Sequence, residues 1–266
     1  MNALRLYGRY LGISIESQLQ YRASVIMQSI GVFTITAVEF LAILALFDRF
    51  GQIRGWQLPE VALFYGMISI SWAIADALGR GFEMFGTTVK AGDFDRVLLR
   101  PRSTVLQLLR HELTIRRVGR LVQGVAVLVY ALAVLDIDWT VGRVLLLPAG
   151  IVAAICVFMG LVIMQATSAF WATETLEVWN AFTYGGVTMS QYPLAIYRGW
   201  FRKLFTFVIP LAAGNYLPGV AILGRSDPLG TPVAVQWLAP LAGPVFLGIS
   251  LVLWRWGVRH YRSTGS

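Results

Sequence analysis

The residues able to do covalent or metal chemistry in this chain are few and scattered: two histidines, His111 and His260, a single cysteine, Cys156, and two lysines, Lys90 and Lys203. A phosphate-binding P-loop needs its lysine inside G-x-x-x-x-G-K-[ST], whereas these stand in VKA and RKL, so neither can serve. Neither histidine belongs to H-E-x-x-H, and no second thiol or hydroxyl–histidine–carboxylate arrangement accompanies Cys156, so the sequence offers no catalytic residue and no metal site. The histidines read as surface residues, and Cys156, inside an apolar run, reads as a small packing residue with no disulfide partner.

What remains is charge set among apolar residues. Glu39 lies inside an apolar run, where an ionisable side chain is costly and faces protein, water or a transport pathway. Two readings stand for it: a part in substrate passage or gating, or a place near the outer headgroups or in a hydrogen bond to a neighbouring helix. Asp76 reads as interfacial, and Gln28, Gln123 and Gln165 as hydrogen-bonding residues between helices. Six charged residues gather in one short stretch, KAGDFDRVLLRPRS, from Lys90 to Ser103.

The elements that must carry these residues follow from composition. Of 266 residues, 57% are hydrophobic and 14% charged, and the mean hydropathy is +0.66. This is an all-α, polytopic membrane protein. The net charge of +8 fits anionic headgroups and the positive-inside rule; basic residues held between apolar runs are no nucleic-acid surface.

The periodicity of Leu4, Tyr7, Leu11, Ile15 and Leu19 predicts an amphipathic interfacial helix over residues 1–22, with no cleavage site, so this segment is expected to stay on the mature protein. Spans are expected at 23–47, 61–79, 118–135, 144–171 and 233–254, with a fifth at either 172–191 or 204–223, making six. The second choice contains Pro210, Gly214, Asn215, Pro218 and Gly219, breakers that suit a re-entrant segment; the first leaves Arg198, Arg202 and Lys203 outside, against positive-inside counting. The loop at 80–117 carries Arg80, Lys90, Arg96, Arg100, Arg102, Arg110, Arg116, Arg117 and Arg120 at or near its bounds, and the tail adds Arg255, Arg259 and Arg262. Both are therefore expected to be cytoplasmic, as are both termini. Ser69, Ala73 and Ala77 form a small-residue stripe inviting close helix approach, and Trp56, Trp139, Trp200, Trp237, Trp254 and Trp256 read as an aromatic belt.

In the charged loop Gly92 permits a turn that other residues resist, and Asp93 stands where its carboxylate could cap a following helix. Phe94, Val97 and Leu98 then share one face, Asp95, Arg96 and Arg100 project elsewhere, and Pro101 ends or bends the helix. An apolar knob with mixed charge suits a protein socket, while a helix resting on the membrane surface explains the same pattern; the residues alone leave both open.

Three features together resemble the integral membrane subunits of type-2 ABC transporters, mostly exporters: AGDFDRVLLRPRS, the stretch QYPLAIYRGWFRKLFTFVIPLAAGNYLPG at 191–219, and the six-span plan with its interfacial helix. Gly92, Phe94, Asp95, Leu98, Arg100 and Pro101 match that family's G-x-F-D-x-x-L-x-R-P pattern. The resemblance implies a coupling helix that docks on a cytoplasmic ATP-binding subunit, ATP and Mg held on that partner and no cofactor in this chain, a second permease, identical or related, and a bacterial inner membrane. It also implies a fifth span before Tyr192. On this reading Phe94 and Leu98 form the docking knob, and Asp95 and Arg100 make charged contacts. An ion-coupled secondary transporter using Glu39 is the rival reading; it lacks a convincing internal repeat.

Overall fold

The computed structural model describes residues 20, 22–109, 117–172 and 176–261. The expected interfacial helix therefore lies, but for its last residues, outside the described residues, as do Arg110, His111, Arg116 and Arg262. Among the described residues all regular structure is helical, and the one β pairing is the isolated bridge between Ile53 and Trp56.

Helix α1 runs Arg22–Phe50, α2 Leu58–Glu83, α3 Phe85–Lys90, α4 Phe94–Leu98, α5 Thr104–Leu109, α6 Val118–Val134, α7 Val141–Ser168 and α8 Leu176–Ser190. A broken segment follows: α9 Gly199–Lys203, a π-helical turn Leu204–Val208, α10 Leu211–Gly214 and α11 Tyr216–Leu223. After it come α12 Val233–Leu238 and α13 Ala242–His260. Arg22–Phe50, Leu58–Lys90, Val141–Ser168 and Val233–His260 are long and apolar enough to cross a bilayer, and the bent pair Gly199–Val208 with Leu211–Leu223 makes a fifth if taken as one crossing. The expected six is reached from the four by adding α6, whose 17 residues stand at the lower limit of about 17–25 for a span, and either the bent pair or the 15-residue α8.

The helix starts are written locally. At α2, Gln57 and Glu60 form a reciprocal capping box with Pro59 in the first turn. At α7, Thr140 accepts from the Arg143 amide at 3.3 Å, and Pro148 is carried inside the helix.

Helix α2 is the central element, with 83% of its most apolar window buried, against 17% for α1 and 22% for the last crossing helix. It packs on α6 and α7. A Cβ on Gly124 would lie 2.9 Å from the Ser69 Cβ, and one on Gly66 2.7 Å from the Leu128 Cβ. The helix that meets the small-residue stripe at Ser69 is thus this chain's own α6, approaching as closely as small residues allow. Between α2 and α6, Gln123 Nε2 donates to the Tyr65 hydroxyl at 3.2 Å, and that hydroxyl donates to the Thr36 carbonyl of α1 at 3.0 Å.

Loops 51–57, 136–143 and 224–231 gather at one end of the bundle: Arg225 Nη2 donates to the Gly55 carbonyl at 2.7 Å, and Arg143 lies against Gly224. Helices α3 to α5 and the end of α13 gather at the other, the basic end. Helix α8 starts there, where Trp179 Nε1 donates to Ser168 Oγ at 3.0 Å, and its last residue, Ser190, accepts from Asn215 Nδ2. The broken segment bends by 73° at Ile209 and Pro210; its first arm brings Arg202 within electrostatic reach of Tyr216, and Tyr216 stacks on Phe64 beside Trp56.

Candidate docking site at the basic end

Three short helices between α2 and α6 build the surface of the basic end. Gly92 makes the turn into α4 with φ +70, in the left-handed region, and the Asp95 amide donates back to its carbonyl at 3.3 Å. Asp93 does not cap the helix: its backbone is already right-handed helical, at φ −69 and ψ −15, its side chain makes no capping bond, and its carboxylate pairs with Arg96 at 3.3 Å. A capping residue needs extended backbone to swing its side chain over the first amides, and the preceding Gly92 turn removes that option.

The largest departure from the sequence reading is Phe94, which is 0% exposed. Its ring lies 4.9 Å from Phe85, 5.0 Å from Tyr261, 5.6 Å from Phe170 and 6.3 Å from Trp254, tilted or edge-on to each, the arrangement aromatic quadrupoles prefer. Phe94 is an inward anchor and no knob. The expected common face is divided: Val97 follows Phe94 inward, while Leu98 is 41% and Leu99 85% exposed. Arg100, Pro101 and Arg102 continue the exposed tip, and Asp95 is half-buried.

Helix α5 braces this arrangement. Gln107 Nε2 donates to the carbonyls of Val97 and Arg102, both at 3.1 Å, and Trp254 Nε1 of α13 donates to Thr104 Oγ1 at 3.0 Å. Beside α4, a groove of about 460 Å³ is lined by Thr88, Asp93, Arg96, Val97, Arg100, Gln107 and Leu108. Just inside the bundle, Asp76 is 1% exposed and pairs with Arg117 Nε at 2.8 Å. It is a buried tie between the two helices that flank the loop.

The structure brings Gly92, Phe94, Asp95, Leu98, Arg100 and Pro101 together on one short segment. Glu39 stands apart, exposed on α1, with no hydrogen bond or ion pair among the described residues. It lies nine residues before Asp48, about 13.5 Å along the helix at 1.5 Å per residue, and the expected hydrogen bond to a neighbouring helix is not formed among the described residues. Sequence reasoning missed Phe85, Gln107, Phe170, Trp254 and Tyr261. Trp254 and Trp56, which the sequence places in the aromatic belt, are both 0% exposed. No local pattern signals an aromatic cluster assembled from three distant segments.

Residues 33–265 match the family described as ABC-2 family transporter protein. The chain belongs to that family. No curated protein and no solved structure matches this permease. The match runs from the middle of α1 to the tail, so the short basic-end helices and the broken segment both lie within the shared architecture. The permease is accordingly a multi-pass membrane subunit of an ABC transporter.

Proposed function

We propose that this permease is the membrane half of an exporter, driven by ATP hydrolysed on a separate cytoplasmic subunit that docks on the tip of α4. The observation that carries this reading is the division of α4: Leu98, Leu99 and Arg100 are exposed at its tip, while Phe94, one helical turn earlier, is held among rings of α3, α13 and the end of α7. A displacement applied at the tip is passed through Phe94 to Phe170 and Trp254, and so to α7 and α13. The docking contacts are Leu98, Leu99 and Arg100, with Asp95 at their flank and Gly92 and Pro101 fixing the two ends of the turn. ATP and Mg belong to the partner, since neither lysine of this chain stands in a P-loop.

On this reading the basic end and both termini are cytoplasmic in a bacterial inner membrane, α8 with residues 191–198 carries the chain across, and the broken segment is a re-entrant outer hairpin. A second permease, identical or related, covers α1. Helix α1 is little buried within the chain and exposes Glu39 in an apolar surround, where a charge costs about 2.5–3.5 kcal/mol at a span centre. A shared wall or aqueous pathway relieves that cost, and Glu39 then lines it.

The test is a pull-down of the tagged permease from its native membrane, with a Leu99→Asp and Arg100→Glu double variant beside it. Recovery of a P-loop ATPase with the parent and its loss with the variant is expected. A parent that brings down no such subunit sinks the reading, and transport then passes to the ion-coupled scheme built on Glu39.

A further inference from the structure

The groove beside α4 holds a polar group whose needs this chain does not meet. Gln107 is 8% exposed; its Nε2 protons go to the carbonyls of Val97 and Arg102, and its Oε1 is buried with no hydrogen-bond partner. A buried amide oxygen left unpaired costs free energy until a donor reaches it. The walls beside it, Val97 and Leu108, are apolar, and the rim carries three charges. Asp93 and Arg96 are paired with each other at 3.3 Å, while the exposed Arg100 has no acidic partner among the described residues.

We infer that docking is reciprocal: as the tip of α4 enters the ATP-binding subunit, that subunit inserts into this groove a side chain with an apolar stem and a hydrogen-bond-donating end, which reaches Gln107 Oε1. A carboxylate next to that side chain meets Arg100. The inference rests on the docking reading above and adds the acceptor, the receiving cavity and the chemistry of the inserted group. Mixed charge on the rim favours a protein surface over a lipid headgroup, which would meet Asp93 as a repulsive neighbour. The cavity also sits between α4 and its brace α5, so filling it stiffens the element that carries the displacement.

The experiment titrates the purified ATP-binding subunit against the whole permease in lipid nanodiscs and reads the dissociation constant, with thermal stability measured on every variant. Gln107→Leu and Gln107→Glu lose the same two donations, and only the second keeps an acceptor oxygen; repeating the titration at high salt separates that acceptor from the charge Glu adds. Gln107→Leu is expected to weaken assembly about tenfold and Gln107→Glu by no more than about threefold. Thr88→Trp, at the half-buried edge of the groove, fills the cavity without touching Gln107 and is expected to weaken assembly about tenfold as well. Leu99→Asp is the docking control. If it weakens assembly while Thr88→Trp and the two Gln107 variants match the parent, docking stands and the reciprocal insertion is wrong. If Leu99→Asp also matches the parent, the docking reading itself is wrong. An effect of Gln107→Leu seen only in discs with anionic lipid assigns the groove to a headgroup and overturns the inference.

Discussion

The two ends of the permease each pin a short, irregular segment to the bundle, and they do it with different forces. At the basic end α4 is held by aromatic packing around Phe94, with directional bonds only at its margins. At the opposite end the broken segment is held by charge. Arg225 Nη1 contacts both Glu60 oxygens, at 2.7 and 2.8 Å, its Nη2 reaches the Gly55 carbonyl at 2.7 Å, and its guanidinium lies 4.4 Å over the Trp56 ring. The Tyr216 hydroxyl donates to Asp227, whose carboxylate also accepts the amides of Leu229 and Thr231 and the Thr231 hydroxyl. Ring packing is only weakly directional, so a cluster can shift by fractions of an ångström and stay packed, whereas a guanidinium held between a carboxylate and a carbonyl is tied to one geometry. On the proposed reading the basic end passes on a displacement, and the far end, held by directional charged contacts, keeps one position.

The largest effect should come from Phe94→Ala. Emptying a fully buried aromatic site costs about 3–5 kcal/mol of stability. Beyond that loss, the variant should still bind its ATPase, because the tip residues are untouched, yet transport per ATP hydrolysed in reconstituted vesicles should fall steeply. Phe94→Leu keeps most of the apolar volume and should restore stability further than it restores coupling. If Phe94→Ala binds and transports like the parent, ring packing is not what carries the displacement, and the contrast between the two ends fails at its first point.

How much of this was legible in the sequence depends on the range of the interaction. Gly92, Pro101 and the breakers at Pro210 and Gly214 act on their own backbone, so their turns could be read directly. The all-helical, membrane-crossing plan follows from long apolar runs, which act by composition. Phe94 was placed on the wrong side because its neighbours in sequence are charged, and what buries it, Phe170, Trp254 and Tyr261, lies far along the chain. The partner of Asp76 is equally hidden from local pattern, since Arg117 lies beyond the loop. Trp56 looked like a belt residue until Arg225 closed over it. Local conformation is encoded locally, and inward or outward facing is decided by partners that periodicity cannot name.

A smaller effect is expected at the far end. Arg225→Met keeps the stem that covers Trp56 and removes the charge, leaving Glu60, with 14% of its side chain exposed, without its cation. Leaving one partner of a half-buried pair alone costs about 1–3 kcal/mol, and the double variant Arg225→Met with Glu60→Gln should recover part of it. The sharper readout is accessibility. A cysteine placed at Ser226 should react faster with a membrane-impermeant maleimide when Arg225 is methionine, while the same substitution leaves ATPase binding unchanged. An unaltered labelling rate means the clasp does not hold the broken segment, and charge is then as dispensable there as in the Asp93–Arg96 pair.

The smallest effect belongs to the ion pair most visible in the sequence. Asp93 and Arg96 sit three residues apart with 54% and 83% of their side chains exposed, a setting in which solvent and salt screen the attraction. Removing either by alanine should change stability by no more than about 0.5 kcal/mol. The expectation separates the two ends: the charges of the Arg225 clasp bridge helices distant in sequence and are structural, while the exposed Asp93–Arg96 pair adds little to the fold. Thermal melts of Asp93→Ala and Arg96→Ala at low and high salt make the check. A shift as large as that of Arg225→Met would mean that α4 is also charge-clamped, and a rigid helix held in that way could not slide with Phe94 as the coupling scheme requires.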